Sequence, residues 1–299
     1  MFHKRINIGY FYAIATGVIC GIIPVIIQKV LTQDPIPRAT ALFIKFVASA
    51  LILLPFTAPK IKKVQIPKGF SRKLPISALF YVATLVFLYE SYRYIPTGIG
   101  VCLQYTFPLF TMGFSVLFLQ LRCTKQSIVA MALSLIGTLL LSSGTITSDR
   151  AYIGILLGIG CAISYALYFL WVEHQKLAAM DATVFVTLNT CLCAIFLFVY
   201  ILVTNQLTFS ISLQTFLGLA LSGGCTILAT FCLTLAIRHI GSVHTSILGA
   251  IEPIVCAIAG FFVLGETISL RSGIGIVVVL TAAVMVTLSK QEKEHQKAS

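Results

Sequence analysis

Ten apolar blocks, most of them about 18 to 23 residues long, leave this 299-residue chain little choice but a bundle of membrane-crossing helices. A helix buried in a soluble core needs only some 10 to 14 apolar residues, whereas crossing about 30 Å of hydrocarbon takes roughly 20 at 1.5 Å per residue. The blocks read as spans at 9–31, 39–56, 74–92, 98–119, 126–143, 152–171, 182–203, 213–237, 244–264 and 272–289. The second and fifth are the short ones, which tilt or membrane thinning would accommodate. Only 10% of residues are charged against 58% hydrophobic, and the mean hydropathy is +0.99. A soluble domain carries roughly 25% charge to face water, so that class is excluded. The basic start and first apolar run mimic a leader, but the run exceeds a typical leader core and reads as a retained first span. The longest connection, 57–73, has no room for a soluble catalytic domain.

The net charge of +12 is a topology signal rather than a nucleic-acid one, because the basic residues sit in short connections between blocks. With the N-terminus in the cytoplasm, 15 Lys and Arg fall on inward segments, six of them in 57–73. Only Arg38, Arg93, Arg150 and Arg271 fall outward, and Lys29 and Lys45 lie within spans. The positive-inside bias thus puts both termini in the cytoplasm and the chain in a cell membrane as a multi-pass protein, the inner membrane if the source is Gram-negative. Eight of the nine cysteines lie in apolar blocks, where they read as small apolar side chains. Cys191 and Cys193 have no histidine or acid at ligand spacing, so neither a metal nor a cofactor is expected.

Shifting the chain by 145 residues lays one half on the other. Gly9, Ala13, Gly17 and Gly21 fall on Gly154, Gly158, Ala162 and Ala166, two stripes of small residues at helical spacing. Arg93 falls on Arg238, Ile95 on Ile240, Leu103 on Leu248 and Pro108 on Pro253. The expected architecture is an all-α integral membrane protein of ten transmembrane helices in two five-helix repeats, 1–147 and 148–290, with a polar cytoplasmic tail at 291–299. Five is odd, so the second copy crosses in the opposite sense, and an inverted pair suits alternating access around a central site. The small-residue stripes read as close packing, and as surfaces that slide in a moving carrier.

Polar residues at bilayer depth are expensive, which makes them the candidates for function. Lys45 sits mid-span in LFIKFVASALIL; it would draw a substrate carboxylate or phosphate, or else neutralise an internal glutamate. Glu252, in LGAIEPIVCAIAG, precedes Pro253 and would meet an ammonium group or a proton, or serve as a structural polar link. Gln104, Tyr105, Tyr165 and Asn189 complete the pathway candidates, with packing or helix cross-linking as their plain alternatives. Pro24, Pro108 and Pro253 are hinge candidates, because each removes a backbone donor inside a helix. Glu266 reads as a gating or structural cap on the tenth span. His244 and Trp171 read as interfacial residues, and so do Tyr89 and Tyr92. There is no Walker sequence, no H-E-x-x-H and no nucleophile elbow, which removes an ATP-driven pump and leaves no enzyme expected.

These features resemble the drug/metabolite transporter superfamily, and within it the EamA-type ten-span transporters, over residues 6–289. The stretch IEPIVCAIAGFFVLGE at 251–266 carries the resemblance most specifically. Its first-half counterpart, YTFPLFTMGFSVLFLQL, keeps Pro108 but ends in Gln120–Leu121. The resemblance implies two inverted five-helix halves, cytoplasmic termini and a central cavity. It also implies secondary transport of amino acids or other small amphipathic metabolites, often outward and in exchange for protons. The alternative is uptake or exchange of a larger metabolite such as S-adenosylmethionine or a nucleotide-like compound, and a passive channel or receptor is disfavoured. The partners implied are a small metabolite, protons and the bilayer, without nucleic acid; a monomer and a homodimer are both compatible.

Overall fold

The structure, a computed structural model, describes residues 2–34, 36–61, 69–95, 97–120, 125–141, 149–208, 211–265, 270–271, 273–282 and 284–285. In chain order the helices are α1 (Phe2–Gln33), α2 (Arg38–Ile61), α3 (Phe70–Ser91), α4 (Thr97–Gln104), α5 (Phe107–Leu119) and α6 (Lys125–Leu141). They continue as α7 (Ala151–His174), α8 (Ala182–Thr204), α9 (Leu213–Leu248), α10 (Ile251–Leu264) and α11 (Gly273–Ala282). Seven segments among the described residues are long and apolar enough to span a membrane, one of them running through α4 and α5. Three shorter apolar helices accompany them: Lys125–Leu140, Ile251–Val263 and Gly273–Ala282. The protein is an all-α, multi-span membrane protein. Its outer surface is apolar, with Phe118, Val203 and Phe262 among the most exposed side chains, as lipid contact requires.

Several hydroxyl side chains within the spans are satisfied by their own helices. Thr226, Thr230 and Thr234 each donate to the carbonyl four residues back at 2.8–2.9 Å, and Thr57, Thr84, Thr111 and Ser115 do the same at 2.7–3.0 Å. That local bond lets polar residues sit in hydrocarbon at little cost.

Two spans are broken within a turn of the prolines read as hinges. Residues 98–119 form two helices, α4 and α5, separated at Tyr105–Thr106, and 244–264 is divided at Gly249–Ala250. Both breaks are tight turns: Thr106 N–H reaches Leu103 O at 3.1 Å, and Ala250 N–H reaches Ile247 O at 3.2 Å. Pro108 is the second residue of α5 and Pro253 the third of α10, where a missing N–H leaves no bond unmade. The prolines open new helices, and the breaks lie just before them. The eighth span is also longer than 213–237; its helical backbone continues to Gly241, whose φ of 80° and ψ of 168° make the kink. Only glycine adopts that backbone cheaply. The second span is not short either, since α2 runs through Pro55 and Pro59 to Ile61.

Helix α1 packs along α9 and α10, α3 along α7, and α2 along α8. Small residues set these distances. A Cβ on Gly9 would lie 2.6 Å from Ile240, and one on Gly154 would lie 2.8 Å from Ile95, two contacts related by the 145-residue shift. At Gly21 a Cβ would meet Glu252 O at 2.5 Å and Val255 Cβ at 2.7 Å. Backbone cannot give way as a flexible side chain does, so Gly21→Ala should separate α1 from α10 and destabilise the fold by about 1–3 kcal/mol. Thermal unfolding in detergent reads this directly; an unchanged midpoint would mean that the two helices do not pack this closely.

Beyond the end of α1, Asp34 Oδ2 accepts hydrogen bonds from Ser212 N–H at 3.0 Å and from the Thr215 hydroxyl at 2.6 Å. The bonds from Ser212 and Thr215 hold its carboxyl below the usual 3.8. This clasp between α1 and α9 is therefore complete above that pH and is lost as pH falls through the lowered value. Protection of the Ser212–Thr215 amides from hydrogen exchange should be greater in wild type than in Asp34→Ala at pH 6. The difference should vanish in strong acid; a difference that persists there would exclude the carboxylate as the cause.

Candidate functional site

A cavity of about 340 Å³ occupies the centre of the bundle, within the size range of small-molecule sites. Its wall takes Cys20, Pro24 and Gln28 from α1, Lys45 from α2, Tyr81 and Tyr89 from α3, and Tyr92 just beyond the end of α3. Gln104 and Tyr105 come from the α4–α5 break, Tyr165 from α7, Thr226 and Thr230 from α9, and Glu252, Pro253 and Cys256 from α10. At one end the lining continues to Leu31, Arg38 and Tyr92, where α1 and α3 end and α2 begins. Towards the other end it is walled off by the aromatic and aliphatic cluster that includes Phe169, Val172, Leu177 and Ile237.

Lys45 is only 4% exposed, yet it borders the cavity. Its helix is brought inward by Gly223 of α9, where a Cβ would meet Lys45 O at 2.9 Å and Ser49 Oγ at 2.8 Å. The Lys45 ammonium lies 5.5 Å from the Phe46 ring centroid, and no ion pair among the described residues joins it to Glu252. Glu252 stands in the first turn of α10, where a carboxylate complements the positive helix end. A cation and a carboxylate thus share one cavity while remaining open to a third party.

Aromatic rings make much of the remaining wall. Tyr165 is wedged by Phe107 at 4.7 Å and by Phe169 at 4.8 Å between ring centroids, and Tyr81 rests on Tyr168 at 4.9 Å. The Tyr105 hydroxyl is buried and stands beside the Glu252 carboxylate, near enough to interact with it though not in well-formed hydrogen-bond geometry. A buried hydroxyl held so loosely leaves hydrogen-bonding capacity for a third group. Nearer the mouth, the Arg38 guanidinium lies 5.9 Å above the Tyr92 ring.

Of the residues singled out in the sequence, Lys45, Gln104, Tyr105, Tyr165, Glu252, Pro24 and Pro253 border this cavity. Asn189 does not. It accepts a hydrogen bond from the Ser77 hydroxyl at 2.9 Å and tethers α8 to α3, as the cross-linking alternative had it. Pro108 is buried outside the lining. Glu266 lies outside the described residues. Tyr89 and Tyr92 line the cavity instead of forming an interfacial belt, and Trp171 Nε1–H donates to Lys73 O at 2.9 Å. Glu90, near the end of α3, receives the Tyr200 hydroxyl at 3.0 Å and pairs with Arg93 at 3.0 Å.

Sequence reasoning passed over Thr226 and Thr230. With Ser222 and Thr234 they form a ladder at four-residue spacing, and each donates its proton to its own helix while keeping oxygen lone pairs. The i, i+4 recurrence of hydroxyls through an apolar span was the available signal.

The fold and its central cavity define a multi-span carrier-like membrane protein. The chain belongs to the EamA-like transporter family, whose pattern it matches twice, over residues 7–143 and 152–288. It is a small-molecule transporter of the drug/metabolite superfamily. An uncharacterized transporter of Clostridium kluyveri is 23% identical over 93% of this chain and 92% of its own length. The uncharacterized inner membrane transporter YedA of Escherichia coli K12 is 27% identical over 83% of this chain and 80% of its own. One crystal structure shares the fold with a TM-score of 0.76, covering 95% of this chain and 98% of that one at 14% identity.

Proposed function

We propose that the protein is a secondary active exporter of amino acids or similar small amphipathic metabolites. It works by alternating access between two inverted five-helix halves, 1–147 and 148–290, with both termini in the cytoplasm. The observation that carries the substrate class is the pairing of Lys45 and Glu252 on one tyrosine-walled cavity without an ion pair between them. A zwitterion satisfies both: its carboxylate meets the ammonium, its ammonium meets the carboxylate, and an apolar or aromatic side chain rests on the rings.

The inverted-repeat reading draws support from contacts that recur under the 145-residue shift. Gly9 against Ile240 corresponds to Gly154 against Ile95, and the break before α5 corresponds within one residue to the break before α10. The packing of α1 on α9 likewise has its counterpart in α7 on α3. With the termini inside, the mouth at Leu31, Arg38 and Tyr92 faces outward.

Counterflow in proteoliposomes tests this reading. Labelled L-phenylalanine should accumulate against unlabelled amino acids trapped inside, with saturation and competition. Exchange confined to S-adenosylmethionine would move the assignment to the larger metabolite. Solute movement without any counterflow would indicate a channel.

A further inference from the structure

The closed end of the bundle carries a contact that the site described above does not use. Near the end of α7, Glu173 Oε2 accepts the backbone N–H of Ser242 at 2.8 Å. Ser242 follows the Gly241 kink and is the first residue of the last segment of α9, where the first amides of a helix lack partners within it. A Cβ on Gly241 would lie 3.0 Å from Glu173 Oε1, so the glycine both makes the kink and leaves space for the carboxylate. The bond joins α7 to the element that leads through the Gly249–Ala250 break to Glu252 in the cavity wall.

The 145-residue shift places Gln28 on Glu173 and Thr97, the first residue of α4, on Ser242. Other contacts of the same register are made at both ends of the bundle: Gly9 with Ile240, and Gly154 with Ile95. The two ends differ at the 28/173 position. Glu173 is engaged with the helix start it faces, while Gln28 is exposed and lines the cavity near its mouth.

We propose that Glu173 is the latch of the closed end and Gln28 its counterpart at the mouth. The bond from Ser242 N–H to Glu173 breaks when the cavity opens to the Glu173 side. The Gln28 side-chain oxygen then accepts the Thr97 N–H as the mouth closes. Both are positioning residues: they touch helix starts and act on the cargo only by deciding which end is sealed. An amide oxygen suffices at the mouth, and the carboxylate gives the stronger, charge-assisted bond at the other end, which accounts for a resting state closed on the Glu173 side. The inference rests on the alternating-access reading.

Cys20 and Cys256 line the cavity and report which side it faces. A membrane-impermeant thiol reagent is applied to either face of oriented proteoliposomes, and modification of each cysteine is quantified by peptide mass spectrometry. In wild type, labelling should come from the mouth side. Glu173→Ala should raise labelling from the opposite side by about tenfold or more, the loss of one charge-assisted bond. Glu173→Gln should restore most of the wild-type pattern, because its amide oxygen still accepts the Ser242 N–H. Ser242→Pro deletes the donor at a helix start that tolerates proline and should reproduce the alanine phenotype; it serves as well if Glu173→Ala fails to insert. Gln28→Ala should increase mouth-side labelling further.

Unchanged sidedness in folded Glu173→Ala and Ser242→Pro, with wild-type counterflow intact, would overturn the latch and leave the transport reading standing. Identical behaviour of Glu173→Gln and Glu173→Ala would also overturn it. Loss of counterflow in wild type, with labelling confined to one face in every variant, would overturn alternating access itself.

Discussion

Lys45→Met is expected to abolish saturable exchange while the protein still inserts, folds and unfolds at or above the wild-type temperature. Both halves of that expectation follow from the position of the side chain. Lys45 is 4% exposed at mid-span and has no close ion pair among the described residues, so its charge is held at a desolvation cost that the more distant Glu252 carboxylate repays only in part. Methionine fills nearly the same volume without the charge, and the empty carrier should be as stable or more so. In the loaded carrier the same change leaves a substrate carboxylate without its cation, a loss of about 2–5 kcal/mol, or roughly 30-fold and more in affinity. If Lys45 instead balanced Glu252 structurally, methionine would strand a buried carboxylate and lower the unfolding temperature. Transport assayed beside thermal stability separates the two, and normal kinetics in Lys45→Met would exclude Lys45 from the site.

Glu252→Gln should have the second-largest effect, with a different signature. Glutamine keeps the size and hydrogen-bonding capacity of the side chain but neither attracts an ammonium group nor carries a proton. Affinity for zwitterionic amino acids should fall by about tenfold or more, while deaminated acids that need only Lys45 should lose little. Any acceleration of exchange by an imposed pH gradient should also disappear, because Glu252 is the carboxylate among the cavity-lining residues. A variant that retains the gradient response would place proton coupling elsewhere. Tyr105, whose hydroxyl lies buried beside Glu252 without a good partner, gives a graded comparison. Tyr105→Phe removes a hydroxyl that makes only a poorly formed contact with Glu252 in the empty protein, so it should weaken transport at little cost to the fold.

The spans were readable in the sequence because hydrocarbon imposes a length on any helix that crosses it, and uninterrupted apolar runs meet that length whatever they pack against. Lys45 and Glu252 were readable for the related reason that a lone charge in such a run needs an explanation. The helix breaks were legible only to within a turn. Proline marked their neighbourhood, but Tyr105–Thr106 and Gly249–Ala250 give way where two spans meet: a Cβ on Gly249 would lie 3.8 Å from the Phe107 ring. That contact joins residues more than a hundred positions apart and leaves no local pattern. Asn189 shows the converse, since an amide in a span is equally compatible with a cavity and with a neighbouring helix, and only the position of Ser77 decides. Glu173 escaped notice because a charge at a span end has solvation as its ordinary explanation, and its partner is a backbone amide invisible in side-chain chemistry.

The central claim is that the two charges of the cavity recognise the two charges of one substrate. Isothermal titration calorimetry of the purified protein with L-phenylalanine, L-phenylalaninamide and 3-phenylpropionate, in wild type, Lys45→Met and Glu252→Gln, tests it most directly. In wild type the amino acid should bind more tightly than either truncated analogue. Lys45→Met should erase the preference for the amino acid over its amide and leave the preference over 3-phenylpropionate; Glu252→Gln should do the reverse. Equal losses for all three ligands in both variants, or an unchanged ranking, would contradict the account.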